Sequence, residues 1–286
     1  KPILGMESYV AGPKGRLDRS ERVGRHLILL AKNQEGWANL RILSSKAFTE
    51  GFYYDPRIDK QLLREHSKGL VGLTACLAGE IPRLIRHGEM DAAREAAREY
   101  KSIFEPGSFF LEVQSNGMKE QLEVNAKMAQ LSRDEGIPLV ATADAHYIRR
   151  EDAKAHEVLM CIASNKTFQD PKRLRHDTDG LFVTGPDEMV AAMPGFEDAV
   201  ARSAEIAELC NVELPLGKTF LPRFALPDGM TEDEYIAKLA KDGLHRRFRE
   251  IDGKYPHDRD TYRGQLEIEL GVIRKMGFSG YFLIVQ

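Results

Sequence analysis

Cysteine is scarce in this chain, with only Cys76, Cys161 and Cys210 among 286 residues. Three scattered thiols cannot frame a disulfide-stapled fold, so a reducing, cytoplasmic setting is expected. Long apolar runs are missing as well, and neither a membrane span nor a signal peptide is read. Charge of one sign does not dominate: 41 Lys and Arg face 44 Asp and Glu, a net charge of -3. Nucleic acid would therefore be handled through a local site rather than a broad basic mantle. No glycine-rich phosphate loop follows any apolar run, which disfavours a nucleotide-binding doubly wound fold. Internal repeats and low-complexity tracts are also absent. The chain starts at Lys1 rather than methionine and ends in the apolar run YFLIVQ, so it reads as a piece of something longer.

What is present is a globular composition, 42% hydrophobic and 30% charged, with room for one large domain and part of another. Strand-like runs at 3–10, 26–31, 70–74, 109–114 and 138–142 alternate with helical spacing at 36–48, 59–65, 79–87, 89–104 and 119–134. Short connections between them predict a parallel sheet or barrel. Within 89–104, like charges fall four apart, Arg94/Arg98 and Glu95/Glu99, so that face reads as merely solvated. From 186 onward the alternation gives way to helices at 187–192, 196–209, 231–251 and 258–276. A proline-rich irregular stretch from 214 separates them and marks a domain boundary.

Chemistry-bearing residues cluster at the strands. Asp144 and His146 follow the run at 139–141, two positions apart, so an extended backbone sends both side chains the same way. Glu151 and Asp152 then open an amphipathic helix with Ala155, Val158, Leu159 and Ile162 on one stripe. Glu7 lies in the first strand, His26 at the second and Cys76 just past the third. Carboxylate, imidazole and thiolate together suit a borderline divalent ion such as zinc or manganese. Barrel strands bring such distant ligands to one face. Each residue also has a plain reading: Cys76 a small buried residue, His26 a core histidine, Glu7 an edge-strand surface residue, Asp144 a helix cap, His146 a loop residue. Arg57, in Asp55-Pro56-Arg57, is a candidate for substrate phosphate or else a surface ion pair. Glu112 points opposite to Leu111 and Val113, towards a barrel interior or towards solvent. His156, Cys161 and Cys210 read as core, and the basic run at 172–176 as a solvated loop.

Longer motifs identify a family. GMESYV at 5–10 resembles the GCExYV run of the PHP (polymerase and histidinol phosphatase) domain of bacterial DNA polymerase III α subunits. The stretches at 35–59, 72–82 (GLTACLAGEIP), 109–117 (FFLEVQSNG) and 141–162 are similar to the same family. Those at 218–244 and 268–286 resemble its entry into the palm domain. The resemblance implies an α/β fold: a distorted (β/α)7 barrel lacking its N-terminal part over 1–213, a linker at 214–230, and palm helices over 231–286. It implies a cluster of up to three divalent ions, zinc or manganese, on Glu7, His26, Cys76, Asp144 and His146. Asp144 or Glu7 would bridge ions, the histidines would be neutral nitrogen ligands and Cys76 a thiolate. The family's remaining ligands, a His-x-His, an Asp and a further His, would precede Lys1, so this chain is expected to bind metal weakly and to show little nuclease activity. Met6 stands where the family usually has cysteine. The implied function is part of a magnesium-using DNA-directed DNA polymerase acting in replication, with a PHP site resembling a 3′→5′ exonuclease or phosphoesterase. Implied partners are primer–template DNA and other replicase subunits, possibly a proofreading exonuclease subunit, with no membrane. Two alternatives stand beside it, a metal-stabilised scaffold for that subunit and the palm, and a free-standing phosphatase of a small phosphomonoester.

Overall fold

The computed structural model describes residues 1–218, 220, 222–250 and 255–286. Contacts divide the chain into two units, Lys1–Leu214 and Pro215–Gln286. In the first, six strands form one open sheet: β1 (Gly5–Val10), β2 (Arg25–Ala31), β3 (Arg57–Ile58), β4 (Leu70–Leu73), β5 (Phe109–Gln114) and β6 (Leu139–Thr142). Their order is β3-β1-β2-β4-β5-β6. The helices of this unit are α1 (Gln34–Thr49), α2 (Lys60–Glu65), α3 (Glu80–Arg86), α4 (Met90–Ile103), α5 (Lys119–Glu135), α6 (Ala153–Ala163), α7 (Pro186–Ala192) and α8 (Glu197–Leu209).

The mixed α/β class follows the alternation in the sequence, but strand direction departs from it. β2 runs antiparallel to both its neighbours, β1 and β4, while β1/β3, β4/β5 and β5/β6 are parallel. The cause is the connection. A parallel return needs a crossover, and residues 11–24 contain no helix, so the chain doubles straight back.

Period-two alternation assigns each strand two faces. Val10, Leu27, Leu29, Ala31, Leu70, Phe109, Leu111 and Val113 belong to one large cluster with α1, α2, α3, α4 and α5. The opposite, inner face carries Val71, Leu73, Phe110 and Val140, joined by Ile206 and Cys210 from the end of α8. By the same parity Glu7, Tyr9, His26, Glu112 and Gln114 occupy this inner face. Glu112 therefore points inward, and it is 4% exposed.

The loop at 11–24 has no hydrophobic core of its own. Arg57 organises it. Its guanidinium donates to the backbone carbonyls of Gly51 (3.2 Å), Glu21 (2.8 Å), Arg16 (3.0 Å) and Asp18 (2.8 Å), and the residue is 1% exposed. The expectation of a loop arginine offered to substrate phosphate is thereby corrected. Arg57 lies in β3, buried, with its donors directed at the carbonyls of Gly51, Glu21, Arg16 and Asp18. Arg16 secures the same loop through Glu50 (2.6 Å) and Asp59 (3.0 Å).

Two further readings change. The charges of α4 are not merely solvated: Arg94 and Arg98 pair with Glu135 of α5 (3.2 and 2.7 Å), and Glu99 with Lys60 and Arg64 of α2 (2.7 and 2.5 Å). Helix α6 is turned relative to its apolar stripe. Val158, Leu159 and Ile162 are exposed, and Cys161 is the buried residue. His156, in ring contact with His146 and Tyr147, and Glu157, paired with Arg173 at 2.7 Å, hold the other side inward.

The second unit packs α9 (Glu232–Glu250), α10 (Arg259–Lys275) and α11 (Ser279–Val285) around Ile236, Ala237, Leu270 and Leu283. Thr231 and Glu234 exchange bonds at the start of α9, and the Asp258 side chain accepts from Thr261 N (2.8 Å) at the start of α10. The helix expected over 231–251 ends on a residue outside the described ones.

Replacing Arg57 by Leu removes the donors from four loop carbonyls, one buried and three part-buried. Urea unfolding should show a stability loss of about 3 kcal/mol or more, with little recovery in Arg57→Lys. A loss below about 1 kcal/mol would mean the loop does not depend on this side chain.

Candidate metal centre

Glu7 and His26 come from neighbouring antiparallel strands, where Tyr9 faces His26 across the ladder and Glu7 stands two residues along on the same face. Oε1 of Glu7 lies 2.5 Å from Nδ1 of His26. Cys76 arrives from the turn after β4, with Sγ 3.5 Å from the same nitrogen. Donor atoms of all three residues lie within 4.8 Å of one another. Because β2 is antiparallel, its first residues share the sheet edge with the last residues of β4. A strand start thus joins strand ends at one rim. Tyr9 closes the side of His26, edge-on at a centroid distance of 5.1 Å.

The backbone pays locally for this convergence. Ala75, just before Cys76, has φ +59°, and Asp144, just past β6, has φ +51°. Left-handed conformations at non-glycine residues cost roughly 1–3 kcal/mol each and persist where surrounding structure holds them. Asp144 caps no helix. Its carboxyl feels the charges of His146, Glu7, His176 and His26, and burial raises its pKa above the ordinary aspartate range. Asp144 and His146 thus stand beside the Glu7–His26–Cys76 trio without being part of its 4.8 Å group.

His146 is oriented by backbone. Its N–H donates to Leu181 O (2.8 Å), and its Nδ1 lies 2.7 Å from Asp144 O. A carbonyl only accepts, so Nδ1 carries a proton, and in the neutral ring the lone pair lies on Nε2. Two more imidazoles surround it, His156 at 5.5 Å and His176 at 5.2 Å between ring centroids. Burial and the charge of His146 hold both below the ordinary histidine range. Sequence reasoning passed over these two, one as core and the other as solvated loop. The missed signal was the histidine at the end of the basic run, for which a solvated loop has no need.

Without an ion the trio is held by a proton. Bonds to Cys76 and Glu7 raise the His26 pKa to about 10, and the His26 bond lowers that of Glu7. The donors nevertheless suit a metal. Nitrogen, oxygen and sulfur ligands of one tetrahedral zinc ion stand about 3.5 Å apart, so His26 and Cys76 already fit that spacing, while the 2.5 Å contact of Glu7 with His26 would have to open by about 1 Å.

The signs of these shifts define a pH window. The raised His26 pKa contributes stability fully present below 6.5 and lost as pH rises through about 10. The lowered Glu7 pKa contributes stability present above 4.5 and lost as pH falls through its depressed value. A double-mutant cycle of Glu7→Gln and His26→Gln on metal-free chain should therefore show favourable coupling at about pH 6 that vanishes above about pH 10. Coupling that is independent of pH would contradict the shared proton.

Residues 1–116 match the PHP domain family, and residues 234–286 match the family described as Bacterial DNA polymerase III alpha NTPase domain. Over the whole chain, identity is 40% to the DNA polymerase III subunit alpha of Treponema pallidum, covering 24% of that protein. It is 39% to that of Thermus aquaticus (28% covered) and 36% to that of Aquifex aeolicus (26% covered), again with all of this chain aligned. The chain spans about a quarter of the length of these relatives. Two family matches in this order, with similarity along the whole chain to one kind of protein, make this chain a member of the bacterial DNA polymerase III α family, with its PHP match over 1–116 and its NTPase-domain match over 234–286.

Proposed function

We propose that the chain is part of a replicative DNA-directed DNA polymerase of the bacterial cytoplasm, and that its PHP site is a metal-dependent phosphoesterase acting on DNA 3′ ends. One observation carries the second statement: Glu7, His26 and Cys76, far apart in sequence, present three different donor atoms within 4.8 Å. Asp144 and His146 would complete the set from β6, His146 through Nε2. A divalent ion such as zinc or manganese, when bound, supplies a water acidic enough to act as a nucleophile near neutral pH and offsets phosphate charge.

The residues themselves do the rest. To hold an ion, His26 would have to release a ring proton, so metal uptake would be tied to proton release. Glu7, half-exposed, would offer a carboxylate oxygen beside His26. His156 and His176 stay neutral and wall the far side of His146. Polymerisation on primer–template DNA with magnesium, and assembly with other replicase subunits, would belong to the longer protein.

A scaffold reading has its own support. The trio ties β1 and β2 to the turn after β4, so a metal there would also brace the sheet. One comparison separates the two. The longer protein, loaded with zinc or manganese and incubated with 3′-labelled single-stranded DNA, should release mononucleotides, with a loss of about tenfold or more in Cys76→Ala, His26→Ala and Asp144→Asn, while this chain alone should show little activity. A metal-dependent rise in Tm without degradation would leave only the scaffold. Turnover of a small phosphomonoester in preference to DNA would favour a phosphatase.

A further inference from the structure

One surface of the first unit is aromatic where a polar face is the rule. Phe48, in the last turn of α1, is 61% exposed, and Phe52 and Tyr54, in the segment that follows, are 49% and 56% exposed. None of the three belongs to a hydrophobic cluster of the described residues. The rings are nevertheless ordered against one another. Phe48 and Phe52 stack at 6.3 Å with their planes 22° apart, and Tyr53 and Tyr54 meet edge to face at 4.8 Å. Tyr54 has φ +63°, a conformation that a bulky residue seldom adopts, and Tyr53 N donates across it to Asp55 O (3.1 Å). Single apolar residues on a surface are ordinary, whereas a contiguous exposed set marks a place of contact.

Charge narrows the class of partner. Two exposed arginines of the loop at 11–24 lie on these rings. Arg22 stands 3.8 Å over Tyr54, and Arg19 stands 5.2 Å over Tyr53 while donating to Phe52 O. Neither has a carboxylate partner among the described residues. In the same loop Arg16 pairs with Glu50 and Asp59, and Arg25 with Glu21. Exposed ring faces beside unpaired guanidiniums suit a ligand that combines flat π faces with a negative backbone. An apolar protein surface would leave the two charges unmatched. Duplex DNA would match them but keeps its base faces stacked.

We propose that Phe48, Phe52 and Tyr54, with Arg19 and Arg22, form a stacking platform for single-stranded DNA, bases lying on the rings and guanidiniums meeting phosphates. The choice of DNA rests on the function proposed above. The platform adjoins the metal centre. Its segment leads into β3, which pairs with β1 at Tyr9, and Tyr9 lies edge-on to His26. Burial and the charge of Asp55 raise the Tyr9 pKa, which places Asp55 near that ring. Binding needs no metal, so failure of the platform and failure of the nuclease show in different experiments.

The test is a fluorescence-anisotropy titration of the chain in chelator. The probes are an end-labelled oligothymidylate of about ten nucleotides, an abasic strand of equal length, and the oligothymidylate annealed to its complement. The single strand should saturate, and the abasic strand and the duplex should bind about tenfold or more weakly. Phe52→Ala should weaken binding about fivefold or more, and so should Tyr54→Leu, which keeps apolar bulk but loses the ring face. Both should leave the unfolding midpoint unchanged. Arg22→Gln should reduce the slope of log affinity against log salt by about 0.7. No saturation, equal binding of the abasic strand, or full affinity in both ring variants would overturn the proposal. Self-association of the chain that Phe48→Glu reverses and the oligonucleotide does not compete would also overturn it, assigning the face to a second copy.

Discussion

Glu7 and His26 meet across two antiparallel strands at 2.5 Å, and Cys76 reaches the same imidazole from the turn after a third. That contact depends on strand direction. Had β2 returned parallel to β1, its first residue would lie at the opposite edge of the sheet from Val10, and His26 would be far from Cys76. The helix-free loop at 11–24 enforces the antiparallel return, and the loop in turn rests on Arg57, a buried cation directed at four carbonyls. A structural arginine thus stands behind the site without touching it.

The inner face of the sheet carries a polar seam as well as a core. Glu112 is fully enclosed, and burial raises its pKa despite bonds from Thr142 and Gln114. Its Oε2, like the outer atom of Gln114, has no partner. Such a seam is costly where apolar residues would pack, and its persistence is understandable if ligands or water complete it. The seam lies on β5 and β6, the strand pair that leads to Asp144 and His146.

Much of this was legible in residue order. Five of the six strands, most of the helices and the Glu7–His26–Cys76 trio come from spacing and residue type, and the longer motifs pointed to the family; the short β3 and α11 were not read. Strand direction was not legible, because periodicity fixes which residues share a face but not which way the strand runs. Arg57 was misread because a sequence shows a guanidinium without the carbonyls that surround it. The stripe on α6 failed for a related reason: apolar spacing fits several rotations of a helix, and ring contacts of His156 with an ion pair of Glu157 selected another one. His176 was invisible because its neighbours in space, His146 and His156, lie 30 and 20 positions away.

X-ray absorption at the zinc edge of zinc-loaded chain tests the centre most directly. The structure predicts one sulfur scatterer at about 2.3 Å with nitrogen and oxygen at about 2.0–2.1 Å, and loss of the sulfur shell in Cys76→Ser. A shell of nitrogen and oxygen alone, unchanged by that substitution, would contradict the convergence of Glu7, His26 and Cys76 on one ion.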